Sequence, residues 1–295
     1  MFVLSSHLVL ISSLVGDHGS GKSPIKGKEE LLDLAKGGSM LTQEQLAQYR
    51  LDGYVLVSGL ISEETIANAE AAMWFTLGMN RDDPTSWSPF PEETDGLTTN
   101  VNLGLIEHFG LQTPALLACC TPAFYEVQDQ LAQKNPGAFH CQNPQPEAVW
   151  TRSVFPVSSD WNYFNGHVDG GYRPFNVFPG SFRVSSLTYL DSGVTQGGGT
   201  VIWPWSHRKL SQAAMQSPDR YNILSDFKNP QQRFDLGEPI ELRPSRGDVL
   251  FFHYLLVHSG SLNTSNKPRF ALRLMCTCAT CRIWEKNGKW NIWMP

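Results

Sequence analysis

The sequence predicts an α+β chain in which helices come first and an antiparallel barrel or jelly roll follows. Two observations carry this. Between residues 41 and 131, polar caps precede apolar residues spaced three and four apart, the spacing of helices with one buried face. From about Val149 the texture changes to short apolar runs separated by Gly, Pro, Asn and Ser, as in a closed antiparallel sheet.

The first elements follow from local signals. Thr42-x-x-Gln45 is a capping box opening a short helix through Tyr49, and Gly53-Tyr54-Val55-Leu56-Val57 reads as a strand. Ser62 caps a second helix with Glu63 and Glu64 in its first turn, where their charge complements the helix dipole. Ile66, Ala69, Met73 and Leu77 give that helix one apolar face. Residues 80–112 are irregular and rich in Pro, Thr and Asp. Thr121-Pro122 starts another helix, with Phe124, Val127 and Leu131 on its buried side.

In the strand-rich half, residues 182–190 alternate, placing Ser186 and Thr188 on one face and Leu187 and Tyr189 on the other. Gly247-Asp248 opens an apolar run that continues to His258 and closes in Ser259-Gly260-Ser261; it reads as one buried strand ending in a loop. Arg269 begins the next strand.

Length and composition narrow the function classes. A chain of 295 residues fits one large domain, with 41% hydrophobic and 17% charged residues. The low charge content, nine Trp and nineteen Pro point to a loop-rich enzyme. A net charge of -5 without a Lys/Arg block gives no footprint for nucleic acid or an anionic membrane. The expected partner is a small-molecule substrate; oligomeric state is left open. Six Cys occur as Cys119-Cys120, Cys141 and the cluster Cys276, Cys278 and Cys281. A zinc ribbon needs a second, similarly spaced pair, so buried thiols are the expected reading.

Residues 1–15 are apolar and Ser-rich, too short for a spanning helix and without the basic start of a signal peptide. Gly16-Asp17-His18-Gly19-Ser20-Gly21-Lys22-Ser23 fits the phosphate-binding loop pattern G-x-x-x-x-G-K-S. That loop should lead into a long helix, yet Pro24 and Gly27 follow at once. Residues 1–40 are therefore expected to be a leader or linker, and 41–295 the functional domain. The leader leaves a cytoplasmic, secretory or organellar location open.

His167-Val168-Asp169 and the distant His258 form the most informative constellation. A period of two puts His167 and Asp169 on one side of an extended segment. Two imidazoles and a carboxylate on one face of an octahedral metal leave three positions open, as an iron(II) oxygenase requires. If the strands close into a double-stranded β-helix, a cupin-like jelly-roll barrel, the three meet inside one open end. Arg269, eleven residues after His258, offers a planar fork that can grip a carboxylate with two hydrogen bonds. Ser186 or Thr188 are candidates to assist it. Trp161, Tyr163, Tyr172 and Arg173 are candidates for the substrate entrance, and His207 for a supporting group or pocket wall. His253 is not counted as a ligand, because odd spacing from His258 turns it to the opposite strand face.

Over roughly residues 41–278 the chain resembles the phytanoyl-CoA dioxygenase-like branch of the iron(II)- and 2-oxoglutarate-dependent oxygenases. The resemblance rests on Asn165-Gly166-His167-Val168-Asp169-Gly170-Gly171, Phe182-Arg183-Val184, the run from Gly197 through Trp203-Pro204-Trp205-Ser206-His207, and the His258 to Arg269 segment. The family often has Pro-Gly-Ser-His where this chain has Pro204-Trp205-Ser206-His207. The resemblance implies iron(II) on His167, Asp169 and His258, 2-oxoglutarate on Arg269 through its 5-carboxylate, O₂ as co-substrate, and release of succinate and CO₂. Related halogenases carry a small residue in place of the carboxylate, so Asp169 favours hydroxylation. The alternatives are a non-catalytic metal- or ligand-binding barrel of the same fold, and a nucleotide-binding protein using the loop at 16–23.

Overall fold

The computed structural model describes residues 40–131, 149–169 and 181–282, with the backbone alone for 181–183 and 274–282. The expectations for residues 1–39, the loop motif at 16–23, Cys141, and Tyr172 and Arg173 lie outside the described residues. So do the side chains of Cys276, Cys278 and Cys281. Cys119 is a buried free thiol, and burial pushes it up to about 12. Among the described residues no helix is long and apolar enough to cross a membrane.

The helical part forms where the caps place it. Helix α1 (Gln43–Asp52) starts at Thr42 with both bonds of the capping box, Gln45 N to Thr42 Oγ1 at 3.2 Å and Thr42 N to Gln45 Oε1 at 2.9 Å. It runs three residues beyond the expected end at Tyr49. Strand β1 (Tyr54–Val57) leads to helix α2 (Glu63–Leu77), capped by Ser62, and α3 (Pro122–Leu131) follows later. Ile66, Ala69, Met73 and Leu77 on α2, and Phe124, Val127 and Leu131 on α3, are all buried. Burying one large apolar side chain is worth roughly 1.5–3 kcal/mol, against about 1 kcal/mol for a cap. Packing therefore holds these helices in place, while the caps set where they begin.

The strands form two antiparallel sheets. The larger contains β1, β2 (Leu97–Asn100), β3 (Leu105–Leu111), β4 (Val149–Val154), β5 (Ser181–Tyr189), β8 (Val249–His253) and β10 (Arg269–Arg282), in the order β1-β8-β5-β10-β4-β3-β2. The smaller is β7-β6-β9, from β6 (Thr200–Ile202), β7 (Ile240–Glu241) and β9 (His258–Gly260). Leu187, Tyr189, Leu250, Phe252 and Ala271 of the large sheet pack on Ile202, Leu242 and Leu256, closing the interior of the barrel. The other face of the large sheet presents Val184, Val249, Phe251, Phe270 and Leu272 to the helical layer. This is the α+β double-stranded β-helix with N-terminal and flanking helices that the sequence led us to expect.

One element differs from its expectation. The run from Val249 to His258 is not one strand: it breaks after His253, turns through Tyr254-Leu255, and re-enters the small sheet at His258. Every residue from Val249 to Gly260 is buried, so the run has no period of two to reveal the corner. Ser206 at the start of helix α4 (Ser206–Gln216) secures that corner, its Oγ accepting from Val257 N at 2.8 Å.

The corner also fixes a buried histidine pair away from the putting-together of the two sheets. His207 lies against His253, ring centroids 5.1 Å apart, and its Nε2 bonds the Arg50 carbonyl at 3.2 Å. Burial pushes His207 down to about 4. Its charged form is thus disfavoured in the fold but not in the unfolded chain, where it titrates near 6.5. The stability it permits is complete above that value and is lost as pH falls from about 6.5 to 4, by roughly 3 kcal/mol for a displacement of this size. Melting temperature should fall across this window, and less steeply in His207→Gln. An equal slope in the two proteins would remove His207 from the acid response.

Candidate active site

His167 and His258 meet across an isolated antiparallel bridge between the 161–169 segment and β9. The backbones exchange both bonds, His167 N to His258 O at 2.9 Å and His258 N to His167 O at 3.0 Å. Directly opposed residues project to the same side, and here the ring centroids are 4.5 Å apart. Val168 turns into the core at 1% exposure, so Asp169 returns to the side of His167. One donor atom each from His167, Asp169 and His258 falls within 4.8 Å of the others.

The surroundings prepare these groups as ligands. His258 Nδ1 bonds the Leu256 carbonyl at 2.9 Å, which makes Nδ1 the protonated nitrogen and leaves the Nε2 lone pair, 3.6 Å from Asp169 Oδ1, to face the cluster. Ser185 Oγ donates to Asp169 Oδ2 at 2.5 Å, and Arg273 Nη2 donates to Oδ1. Burial alone would raise Asp169, but Arg273, His258 and Ser185 hold it well below the usual carboxylate range. Burial, then the His258 ring, pushes His167 down to about 3, against the opposing pull of Asp169. At neutral pH His167 is therefore a neutral imidazole and Asp169 an ionised carboxylate. Two nitrogens and one oxygen are a donor set that suits iron(II).

Arg269 begins β10 on the barrel's inner face, its guanidinium 6.0 Å from the centre of the Tyr189 ring. Its Nε donates to the Gly198 carbonyl at 2.8 Å. Gly198 has φ +76°, a conformation only glycine takes without strain, and a Cβ there would lie 2.8 Å from Val154. Arg269 is 3% exposed, yet Nη1 has no hydrogen-bond partner. Leaving a buried charged donor unsatisfied is costly, so Nη1 marks a place where an anion fits.

Sequence reasoning missed three groups. Ser185 and Arg273 support Asp169, as above. Arg152 on β4 forms a 3.5 Å ion pair with Glu107 and reaches β9, where a Cβ on Gly260 would meet its Nη2 at 2.9 Å. Only glycine at 260 leaves room for it.

Other candidates move. Cross-strand pairing sets Tyr189 opposite Ala271, Leu187 opposite Arg273 and Ser185 opposite Met275, which puts 185, 187 and 189 on the inner face. Ser186 and Thr188 point the other way, toward the helical layer, and do not reach Arg269. The alternation was read correctly but the wrong face was assigned to the site. His207 packs in the His253 cluster and not at the metal ligands. His253 lies in that cluster too; it is no ligand, but because the strand breaks after it and not because of strand alternation. Trp161 and Tyr163 are half-buried, with rings 5.9 Å apart and Tyr163 5.6 Å from Trp203, on the segment leading to His167.

A family model described as phytanoyl-CoA dioxygenase matches residues 49–271. The chain belongs to that family. The match includes His167, Asp169, His258 and Arg269. Peroxisomal phytanoyl-CoA dioxygenase of Mus musculus is 21% identical over 272 residues, covering 90% of this chain and 77% of its own. Among solved structures, iron-bound EctD from S. alaskensis superposes with a TM-score of 0.60 at 17% identity, covering 84% of this chain and 80% of its own. SnoK, a non-heme alpha-ketoglutarate-dependent carbocyclase from nogalamycin biosynthesis, has a TM-score of 0.56 at 18% identity, covering 81% and 85%. These two likenesses support the fold of this family member.

Proposed function

We propose that this family member is an iron(II)- and 2-oxoglutarate-dependent hydroxylase of a small organic or lipid-like substrate. The observation that carries the reading is the convergence of His167, Asp169 and His258 within 4.8 Å, in a barrel whose inner face also holds the half-satisfied guanidinium of Arg269. When bound, iron and the keto acid supply the oxidation, in which O₂ and 2-oxoglutarate give succinate, CO₂ and one oxygen atom for a substrate C–H bond.

The protein's part is placement. His167, Asp169 and His258 hold the metal on one face, and the Leu256 carbonyl and Ser185 keep their donor atoms aimed. Arg269 offers Nη1 to the far carboxylate of 2-oxoglutarate. Leu187, Leu250, Phe252 and Ile202 line the interior with apolar groups, which exclude water from the reaction. Hydroxylation is preferred over the carbocyclisation named for SnoK because it needs only a C–H bond near the metal and no second reactive group on the substrate.

The test is succinate formation over a substrate panel. Turnover should require both iron(II) and 2-oxoglutarate and should yield product heavier by one oxygen atom. Iron binding with no succinate from any substrate would favour the non-catalytic barrel.

Residues 1–40 are proposed to lie outside the catalytic unit. A protein lacking them should keep full 2-oxoglutarate turnover, and Lys22→Ala in the full chain should be silent. Nucleotide binding lost with Lys22, measured by equilibrium dialysis with ATP and GTP, would support the phosphate-binding loop instead.

A further inference from the structure

The inner face of β10 carries a second guanidinium, which supports Asp169 through one donor and has others that the reaction outlined above does not use. Arg273 lies four residues after Arg269, about 13 Å along the strand, and side chains at even separation share a face. The two differ in setting: Arg269 is 3% exposed, whereas the Arg273 side chain is 25% exposed. Arg269 therefore belongs to the closed part of the pocket and Arg273 to its solvent side. Arg273 also lies beyond the 49–271 family match, which contains the other site residues.

The Arg273 head group is held in place. It stacks over the Trp150 ring, 5.0 Å from its centre, and Trp150 is braced edge-on by Phe109 at 5.3 Å. Asp169 is the one carboxylate paired with it among the described residues. Of the five N–H donors of a guanidinium, Asp169 Oδ1 takes one. An ionised carboxylate has lone pairs for both a dication and this bond, so Arg273 stays fixed by Asp169 while its remaining donors form a planar, partly exposed group beside the ligand cluster. Such a group recognises a carboxylate through two parallel hydrogen bonds.

We propose that Arg273 is a specificity-determining residue that binds a carboxylate of the substrate through the donors that its bond to Asp169 leaves over. The proposal rests on the oxygenase reading and adds the substrate class. Because Arg273 is in hydrogen-bond contact with a metal ligand, a carboxylate on its free edge lies within about 8 Å of that ligand. The oxidised carbon is then only a few bonds from the acid. Free acids are thereby distinguished from their neutral amides.

The test is anaerobic calorimetry on protein saturated with iron(II) and 2-oxoglutarate, with butanoate, hexanoate and octanoate titrated against the corresponding amides. Saturating 2-oxoglutarate keeps the probes from Arg269. At least one acid should bind tenfold or more tightly than its amide. Arg273→Gln should abolish that preference and Arg273→Lys should retain part of it, with melting curves confirming that both variants are folded. Equal binding of acid and amide, no binding of any acid, or a preference that survives in Arg273→Gln overturns the proposal. Wild-type protein that does not take up iron and 2-oxoglutarate contradicts the functional reading itself, and this shows at the loading step before any probe is added.

Discussion

Asp169→Asn should abolish 2-oxoglutarate turnover while leaving a folded protein. The amide is isosteric and keeps a carbonyl oxygen for Arg273, but it loses the charge that a metal dication requires. Disturbing a group that merely supports a ligand costs roughly 10- to 100-fold in affinity or activity, and losing the ligand itself should exceed that. Iron(II) affinity and succinate formation should therefore fall together by more than 100-fold. Asp169→Ala is a poorer probe, because it leaves Arg273 beside a cavity with no partner. If Asp169→Asn retains wild-type iron affinity, Asp169 is not a ligand.

Arg269→Lys should separate keto-acid binding from metal binding. Lysine keeps the positive charge but cannot bond Gly198 through Nε and also present a second donor in the same plane. A hydrogen bond to a charged group contributes about 1.5–3 kcal/mol, which corresponds to a rise of roughly 10- to 100-fold in the KM for 2-oxoglutarate. Iron affinity should stay near wild type, since Arg269 is not among the metal ligands. An unchanged KM for 2-oxoglutarate would take Arg269 out of the cofactor site.

What could be read from sequence was local. Thr42 and Ser62 cap their helices because a side chain and a backbone amide three residues apart suffice to define the motif. His167 and Asp169 fall on one side because the residue between them is apolar and turns inward. Arg269 begins a strand because Pro268 and a Ser/Asn-rich turn precede it. What depended on pairing between strands was not legible. Alternation along 182–190 separates two sets of residues but does not say which set faces the barrel; that is fixed by Tyr189 lying opposite Ala271. For the same reason Ser185 and Arg273, sixteen and 104 residues from Asp169, gave no sequence signal of their contact with it. The corner between β8 and β9 was hidden because both faces of the run are buried.

The most direct test of the central claim, that His167, Asp169, His258 and Arg269 form one site for iron and 2-oxoglutarate, is an anaerobic absorption spectrum. Iron(II) added with 2-oxoglutarate should produce a weak visible charge-transfer band in the wild-type protein. Neither component alone should give it, and Asp169→Asn and His258→Ala should lose it. No band in the wild type, or an undiminished band in both variants, would contradict the account.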